Sequence, residues 1–250
     1  MAIKHKQIGK QHILYQDTLD TKDLECLFDF SVFIPEQLID KQKVYQKAVG
    51  RGITYFFEQS QHRWVLRHYW RGGLIGKLLS DQYLWQSLEA TRAYQELTLL
   101  DTLDNLKLPA PKPIAARIIK SGFYYQADII TQAIDNSQSL VQRLNTSLEA
   151  TQWQKIGMTI GQFHQNNIYH DDLNAHNILI TDASNIYLID FDKGKQINDN
   201  SLWREKNLER LLRSLEKEKG LGKIKYFDKN NWLELLKGYK DSEKEYKEGK

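Results

Sequence analysis

Proline is concentrated at one place in this chain. Pro109, Pro111 and Pro113 alternate with other residues, and no proline follows them. Because proline fixes φ and lacks a backbone N–H, residues 108–113 are expected to form an extended connector rather than a helix or a central strand. Strand patterns dominate around the connector, and helix patterns dominate later. This order predicts an α+β fold of two lobes, a β-rich N-terminal lobe over 1–130 and a small helical C-terminal lobe over 131–250.

Apolar patterns predict the main elements of the first lobe. Alternating or β-branched runs predict strands over 49–57, 63–69, 114–119 and 123–130. Apolar residues at helical spacing predict one helix over 87–100. The glycines of 50–52 and 71–73 indicate loops.

The second lobe has a different texture. Apolar residues lie on one face of a predicted amphipathic helix over 148–166. Two short strands over 178–181 and 186–190 follow, joined by a polar turn. Further helices are predicted over 203–219 and from Asn231 through Tyr239, whereas the charged tail 241–250 is expected to fray.

The composition is that of a folded chain that stays in water. Of its 250 residues 41 % are hydrophobic and 27 % are charged, which argues against disorder. No stretch is long and apolar enough to cross a membrane, and the N-terminus lacks a signal-peptide pattern. The single cysteine, Cys26, indicates a reducing compartment.

Three polar residues of the second lobe have the spacing of a phosphoryl-transfer site. Asp172 lies in a predicted loop, Asn177 precedes one short strand and Asp190 ends the next. Mg²⁺ takes few oxygen ligands from protein, so an amide and a carboxylate across a hairpin suit it. A second carboxylate can orient an acceptor hydroxyl and take its proton. We therefore expect Asp172 to be catalytic, and Asn177 and Asp190 to hold Mg²⁺.

This stretch resembles the protein-kinase signature H-R-D-L-x-x-x-N followed by D-F-G. The match is carried by His170, Asp172, Leu173 and Asn177, and then by Asp190 and Phe191. It departs at Asp171, where kinases have Arg, and at Asp192, where they have Gly. The bland alternative is a hairpin flanked by two acidic turns, which the amphipathic helix before the motif disfavours. The resemblance implies a protein-kinase-like fold and ATP as the phosphoryl donor.

The resemblance also implies phosphate-binding residues in the first lobe. Gly50 and Gly52 form a shortened glycine loop whose backbone would cover phosphates, although a plain hairpin turn explains them equally well. Arg67 stands on a strand where kinases carry Lys, and a guanidinium also binds phosphate oxygens. Its expected partner is Glu96 on the predicted helix, with Glu89 as the alternative.

The same resemblance places adenine against the backbone of a connector at 128–131. Asp128 and Ile129 are therefore the expected adenine-binding positions. His170 and His176 are expected to brace the loop around Asp172 rather than bind metal, because no further His or Cys stands at zinc spacing.

A wider set of segments is similar to the 3-deoxy-D-manno-octulosonic acid (Kdo) kinase family. The segments are 50–52, 66–73, 109–117, 125–129 and 172–179. In that family Arg stands at the position of Arg67. The resemblance implies ATP-dependent phosphorylation of a Kdo hydroxyl, expected to be the 4-OH, on a lipid A precursor in lipopolysaccharide core synthesis. It also implies a peripheral location on the cytoplasmic face of the bacterial inner membrane.

The residues themselves disfavour a polypeptide acceptor. No A-P-E motif follows Asp192, because no proline follows Pro113, and 58 residues remain for any peptide-docking helices. The Arg that pairs with a phosphorylated activation loop in protein kinases is Asp171 here. A sugar or another small hydroxyl compound fits better, so no protein substrate is expected.

Two groups of basic residues suit an anionic acceptor and an anionic membrane surface. One surrounds a glycine turn beside Tyr69 and Trp70, and the other lies on the helix that follows the expected metal site. The first comprises Arg67, His68, Arg71 and Lys77, and the second Arg204, Lys206, Arg210 and Arg213. For the second group an ordinary solvated helix face is the stronger alternative.

Three classes of function stay open, of which a sugar kinase is favoured. A phosphotransferase with another small acceptor is a variant of that reading. Arg67 and Asp192 leave room for a pseudokinase that serves as a binding scaffold. A nucleic-acid-binding module rests only on the net charge of +3 and lacks a helix-turn-helix, RNP or zinc pattern, so no nucleic-acid partner is expected.

Overall fold

The computed structural model describes residues 2–49, 52–71, 81–197 and 202–248. The chain forms two compact units. Unit 1 comprises Met1–Asn105 and Pro111–Ala133, and unit 2 comprises Leu106–Ala110 and Ile134–Lys250. The chain enters unit 2 for the second and last time after Ala133, slightly beyond the boundary predicted at residue 130. The earlier stretch Leu106–Ala110, which also belongs to unit 2, was not predicted.

Unit 1 contains an antiparallel sheet. Its strands are β1 (Ile3–Ile8), β2 (Gln11–Gln16), β3 (Val44–Val49), β4 (Ile53–Gln59), β5 (His62–His68), β6 (Tyr83–Leu84), β7 (Pro113–Ser121) and β8 (Tyr124–Gln132). The described strands follow the order β1-β2-β7-β8-β5-β4-β3, and β6 pairs with β8. β8 therefore lies inside the sheet, between β5 and β7. The run predicted as one strand over 49–57 is divided between β3 and β4.

Helices pack against both faces of this sheet. They are α1 (Thr21–Phe28), α2 (Pro35–Asp40) and α3 (Arg92–Asn105). Leu66 lies in the core beside α1 and α2, whereas the next residue, Arg67, bonds Glu96 of α3 on the other face. The expectation of a single helix in the first lobe is wrong, because α1 and α2 bury Leu27 and Leu38 in the core against Phe57 and Trp64. α1 begins where the Asp20 side chain accepts a hydrogen bond from a first-turn backbone N–H.

α3 begins later than the helix predicted over 87–100. The hydroxyl of Thr91 donates to the carbonyl of Leu88 at 2.6 Å and accepts from the backbone N–H of Tyr94 at 3.4 Å. Thr91 therefore closes a turn and caps the helix that follows it. The predicted start at residue 87 is a turn that the apolar spacing did not reveal.

Unit 2 is mainly helical. Its elements are β9 (Ser137–Ser139), α4 (Leu140–Arg143), α5 (Ala150–Gln165), β10 (Ile168–Tyr169), β11 (Ile178–Thr181), β12 (Ile186–Leu188), β13 (Lys195–Gln196), α6 (Trp203–Gly220) and α7 (Lys229–Glu248). β11 pairs with β12 and β9, and β10 pairs with β13. The helices predicted over 148–166 and 203–219 and the hairpin predicted after residue 177 are confirmed. Among the described residues, no helix has the length and apolar character needed to cross a bilayer.

α6 has two distinct faces. Trp203, Asn207, Leu211 and Leu215 recur at intervals of four residues and are buried. Lys206 and Arg210 recur at the same interval on the exposed side. The core therefore fixes the helix through one face and leaves the basic face to solvent.

α7 continues beyond the position at which the sequence predicted fraying. Ser242 is buried, donates to the carbonyl of Tyr239 at 2.6 Å and accepts from the amide of Gln165 at 2.9 Å. The bond from Gln165 attaches the helix to α5 past residue 241. The expectation that residues 241–250 fray is wrong as far as Glu248, because sequence alone does not show this tertiary contact.

α5 and α7 approach each other closely at two glycines. A Cβ on Gly157 would overlap the carbonyl of Leu235, and a Cβ on Gly238 would overlap the carbonyl of Gln154. Glycine at these positions lets the two backbones meet. Any larger residue must push the helices apart.

We predict that Gly157→Ala lowers the free energy of unfolding by about 1–3 kcal/mol, the usual cost of overpacking. Urea unfolding followed by circular dichroism measures the change. Gly220→Ala is the matched control, because a Cβ there meets no atom within 4 Å, and it should be neutral or slightly stabilising. Equal stability of the two variants would contradict the close-contact interpretation.

Candidate active site

The loop of residues 171–177, the Asp172 loop, is held by side-chain amides. Asn174 and Asn177 each donate through Nδ2 to the carbonyl oxygen of Asp172, at 3.2 and 3.0 Å. Oδ1 of Asn174 accepts from the backbone N–H groups of His176 and Asn177. The Asp172 carboxylate lies at the surface, with Nη1 of Arg210 3.6 Å from its Oδ1. Asn174 was missed, although Asx residues often cap turns in this way.

His170 lies buried beneath this loop. Its Nε2 donates to the carbonyl of Ile189 at 3.0 Å, and its Nδ1 accepts from the backbone N–H of Asp172 at 3.2 Å. Because a carbonyl only accepts and an N–H only donates, these contacts define the neutral Nε2–H tautomer. Burial lowers the pKa of His170 and keeps it neutral. Both ring nitrogens are engaged, which confirms the expected bracing role.

Asn177 and Asp190 are brought together by the β11–β12 hairpin. The backbone N–H of Ile189 donates to the carbonyl of Asn177 at 3.0 Å. Asp190 follows with a φ of 63°, a left-handed conformation that functional sites often hold at some cost. Phe191 is fully buried and stacks on Phe163, with 5.6 Å between ring centroids. The structure thus bonds Asn177 directly to Asp172, and it bonds the backbone of Asn177 to Ile189, the residue that precedes Asp190.

The side chains of Asn177 and Asp190 fit a magnesium ion. Nδ2 of Asn177 is used by the carbonyl of Asp172, so its amide oxygen is the atom that can face a cation. An amide oxygen and a carboxylate are the hard ligands that Mg²⁺ prefers, with water and phosphates completing its shell. Among the described residues, no group of three or more His, Cys, Asp and Glu side chains is arranged to hold a metal.

α6 is attached to the Asp172 loop through Asn207. Its Nδ2 donates to the carbonyl of His170 at 3.1 Å, and its Oδ1 accepts from the backbone N–H of the same residue at 3.4 Å. Asn207 was missed by the sequence reasoning. The available signal was its place on the buried face of α6, where a polar side chain needs a buried partner.

In unit 1, Arg67 pairs with Glu96. Nη2 of Arg67 lies 2.6 Å from both carboxylate oxygens of Glu96, and the hydroxyl of Tyr69 donates to the same carboxylate at 2.6 Å. Glu96 is 3 % exposed and Arg67 is 27 % exposed, so a buried acid orients a partly accessible guanidinium. Glu89 is exposed and precedes α3. The predicted pair is therefore present, and the alternative is wrong.

The glycine loop between β3 and β4 is described only in part. Gly50 lies outside the described residues. A Cβ on Gly52 would overlap the indole ring of Trp70, which accounts for glycine there without a ligand. Val49 pairs with Ile53, so β3 and β4 form a hairpin, which is compatible with both interpretations of the glycines. A role for Gly50 and Gly52 over phosphates stays a prediction.

Asp128 and Ile129 do not lie in a connector. Both are buried in β8 and pair with β5 and β7 on either side. The Asp128 carboxylate accepts from His68 at 2.7 Å and from Arg117 at 2.8 Å. Their assignment to adenine binding is wrong, because sheet pairing engages this stretch of backbone and the carboxylate is bound within the core.

His68 bridges two carboxylates. Nδ1 faces Asp128 at 2.7 Å and Nε2 faces Asp81 at 3.3 Å. Burial by itself lowers the pKa of His68, but hydrogen bonds to the two carboxylates and their charges outweigh it, and the pKa is raised. His68 therefore keeps its proton more readily than a free imidazole and bonds two carboxylates within unit 1, rather than joining a surface basic cluster.

The two predicted basic groups differ in how far the structure places their members together at the surface. Lys77 of the first group lies outside the described residues, and Tyr69, expected beside the cations at the surface, is buried. In the second group, Arg204 donates to Oδ1 of Asn167 at 2.9 Å. Lys206 and Arg210 remain together on the exposed face of α6.

Comparison with known proteins agrees with this geometry. Residues 36–239 match the model of the lipopolysaccharide kinase (Kdo/WaaP) family. The chain belongs to this family. A Kdo/WaaP-family member thus carries the Asp172 loop and the Arg67–Glu96 pair described above.

Relatives from three bacteria bear the name 3-deoxy-D-manno-octulosonic acid kinase. The Vibrio vulnificus protein is 40 % identical, covering 96 % of this chain and 100 % of its own. The Mannheimia succiniciproducens protein is 45 % identical and the Haemophilus influenzae protein 46 %, each covering 80 % of this chain and 86 % of its own. The similarity therefore extends through both units.

The raised pKa of His68 makes part of the stability depend on pH. Its contribution is fully present below about pH 6.5, the ordinary value, and is lost as pH rises through the raised folded-state pKa. We predict that the stability difference between wild type and His68→Gln is largest in mild acid and shrinks towards alkaline pH. Urea unfolding across that range measures it. A pH-independent difference would contradict the assignment.

Proposed function

We propose that this chain transfers the γ-phosphoryl group of ATP to a hydroxyl of a Kdo residue, the 4-OH, on a lipid A precursor. The observation that carries the proposal is that Asn177 is bonded to Asp172 and to Ile189, next to Asp190, in a chain of the Kdo/WaaP family. The names of the relatives support the acceptor. The product would serve lipopolysaccharide core synthesis.

Asp172 has the properties of a proton acceptor for this reaction. Its carboxylate is exposed, and its backbone is fixed by Asn174, Asn177 and His170. The acceptor oxygen forms a bond to the γ-phosphorus, the bond to the β–γ bridging oxygen breaks, and ADP leaves. The hydroxyl proton passes to the Asp172 carboxylate.

The other predicted residues bind and neutralise ATP. Asn177 and Asp190 would hold Mg²⁺, which would supply positive charge that offsets the charge of the phosphates. Arg67, oriented by Glu96, would bind phosphate oxygens of the nucleotide through its accessible guanidinium. Positioning and charge stabilisation then supply most of the catalysis.

A pseudokinase scaffold is the competing proposal. It would bind Mg·ATP without transferring phosphate. The fixed geometry of the Asp172 loop favours the enzyme, because a protein that only binds nucleotide has no need of an oriented, exposed carboxylate.

We predict that Asp172→Asn lowers phosphoryl transfer to a Kdo-bearing lipid acceptor at least about 100-fold, the contribution typical of a general base. Radiolabel transfer from ATP measures the rate, and nucleotide binding should be unchanged. Asp182→Asn, in the exposed turn between β11 and β12, is the matched control and should keep full activity. Near-wild-type transfer by Asp172→Asn would refute its role, and a wild type that binds Mg·ATP without transfer would favour the scaffold.

We further propose peripheral association with the anionic cytoplasmic face of the inner membrane, through one edge of unit 1. Phe123 is 84 % exposed and Leu84 is 63 % exposed. They are neighbours, because the backbone N–H of Trp85 donates to the carbonyl of Phe123. Nζ of Lys120 lies 4.7 Å from the Trp85 ring centre. The backbone N–H of Lys120 donates to the carbonyl of Lys10. Exposed apolar groups beside lysines suit an anionic interface.

We predict that Phe123→Ser weakens binding to vesicles containing anionic lipid about tenfold, as expected for an exposed aromatic that enters the interface. Co-sedimentation at low and high salt measures it. Leu233→Ser on α7 is the control, since Leu233 is 51 % exposed but lies in unit 2. Absence of salt-sensitive binding by the wild type would overturn the membrane proposal.

A further inference from the structure

A pocket of about 530 Å³ opens in unit 2 next to Asp172. Three segments of the chain line it, namely the stretch from β10 into the Asp172 loop, the residues after Asp192, and the exposed face of α6. Pockets of this size accommodate a small organic ligand. Arg210 joins the pocket to the Asp172 carboxylate, because it lines the pocket and its Nη1 lies 3.6 Å from Oδ1 of Asp172.

The pocket is strongly basic. Four of its lining side chains are cationic, Lys193, Lys195, Lys206 and Arg210, whereas Asp171 supplies one carboxylate. These cations come from separate segments that the fold has brought together. Like charges at close range repel one another, and an anionic ligand would relieve that repulsion. We call this site the basic pocket.

Lys193, one of the cations that line the pocket, has an uncommon backbone conformation. Its backbone has a φ of 60°, in the left-handed region that a residue with a long side chain seldom adopts. A Gly would take this conformation without cost, whereas the residue at this lining position is a lysine.

The walls of the pocket also suit a sugar. Tyr169 and Trp203 line it and meet edge to face, with 5.9 Å between ring centroids. The Tyr169 hydroxyl donates to Oδ1 of Asp171 at 3.2 Å, so polar and aromatic surfaces lie side by side. A sugar acid presents the matching groups, hydroxyls and apolar ring faces together with one carboxylate.

We propose that the basic pocket binds the carboxylate of the sugar acid acceptor and thereby presents its hydroxyl to Asp172. The inference rests on the proposed function and adds the residues that select the acceptor. Lys193, Lys195 and Lys206 hold the anion, and Arg210 lies between the anion and the Asp172 carboxylate. Specificity for an acidic sugar then resides in side chains that have no part in binding ATP.

The test compares Lys206→Gln and Lys193→Gln with wild type in the full chain. The acceptors are a Kdo-bearing glycolipid, the same glycolipid with its Kdo carboxylate methylated, and the same glycolipid without its lipid phosphates. Each lysine variant should raise KM for the unmodified acceptor about 10- to 100-fold, as expected on losing a charge-assisted hydrogen bond. KM for ATP should not change. Lys217→Gln, exposed on α6 away from the pocket, is the control and should behave as wild type.

Methylation of the carboxylate provides the decisive comparison. Wild type should lose affinity for the methylated acceptor, and the lysine variants should lose little more, because their partner is already absent. If removal of the lipid phosphates, rather than methylation, abolishes the effect of the variants, a phosphate is the ligand and the carboxylate assignment is overturned. If KM is unchanged in both lysine variants, the assignment of acceptor binding to the basic pocket is overturned, whereas the proposed function is not. Absence of transfer by the wild type to every Kdo acceptor instead refutes the proposed function.

Discussion

The two hydrogen bonds of the neutral, buried His170 imidazole are the interactions on which the geometry of the Asp172 loop depends. One ring nitrogen accepts from the backbone of Asp172, and the other donates to the carbonyl of Ile189. A protonated ring could donate to both sides but could not accept, so the arrangement requires the neutral form that burial favours. The backbone of the same residue is bound by Asn207 of α6. A single residue thus connects the loop, the hairpin and the basic helix.

In unit 1, unlike at the neutral His170, the buried carboxylates of Glu96 and Asp128 are each bound by at least one cationic side chain. The Glu96 carboxylate is held by Arg67 and Tyr69, and Asp128 is held by His68 and Arg117. Ionised groups away from water require such partners. The two carboxylates have different consequences, however. Glu96 orients a cation that is still accessible, whereas Asp128 fixes groups within the sheet.

Local patterns predicted much of the fold. The spacing of apolar residues was sufficient for α5 and α6, whose cores lie on one face. It also predicted a strand through Asp128, but not the partners that hold its carboxylate, and the connector at 128–131 was instead implied by the kinase resemblance. Those partners, His68 and Arg117, lie on neighbouring strands. The start of α3 was misplaced for a similar reason, since the hydroxyl of Thr91 decides it.

The candidate site shows the same division. The spacing of Asp172, Asn177 and Asp190 was readable because the three lie in one loop and hairpin. Arg67 and Glu96 were paired correctly because the kinase signature supplies both a strand position and a helix position. Asn207 was not found, since its contact with His170 joins residues far apart in sequence. The basic pocket likewise combines segments whose proximity only folding creates.

The two faces of α6 bear on how acceptor preference changes during evolution. The buried face carries Asn207, Leu211 and Leu215, which hold the helix and the Asp172 loop in place. The solvent face carries Lys206 and Arg210, and substitutions there meet few packing constraints. Mutation of this face can therefore alter the charge that lines the basic pocket without disturbing the packing of α6. Exchanges on this exposed face can thus change the charge of the basic pocket while Lys193 and Lys195, on a separate segment, stay in place.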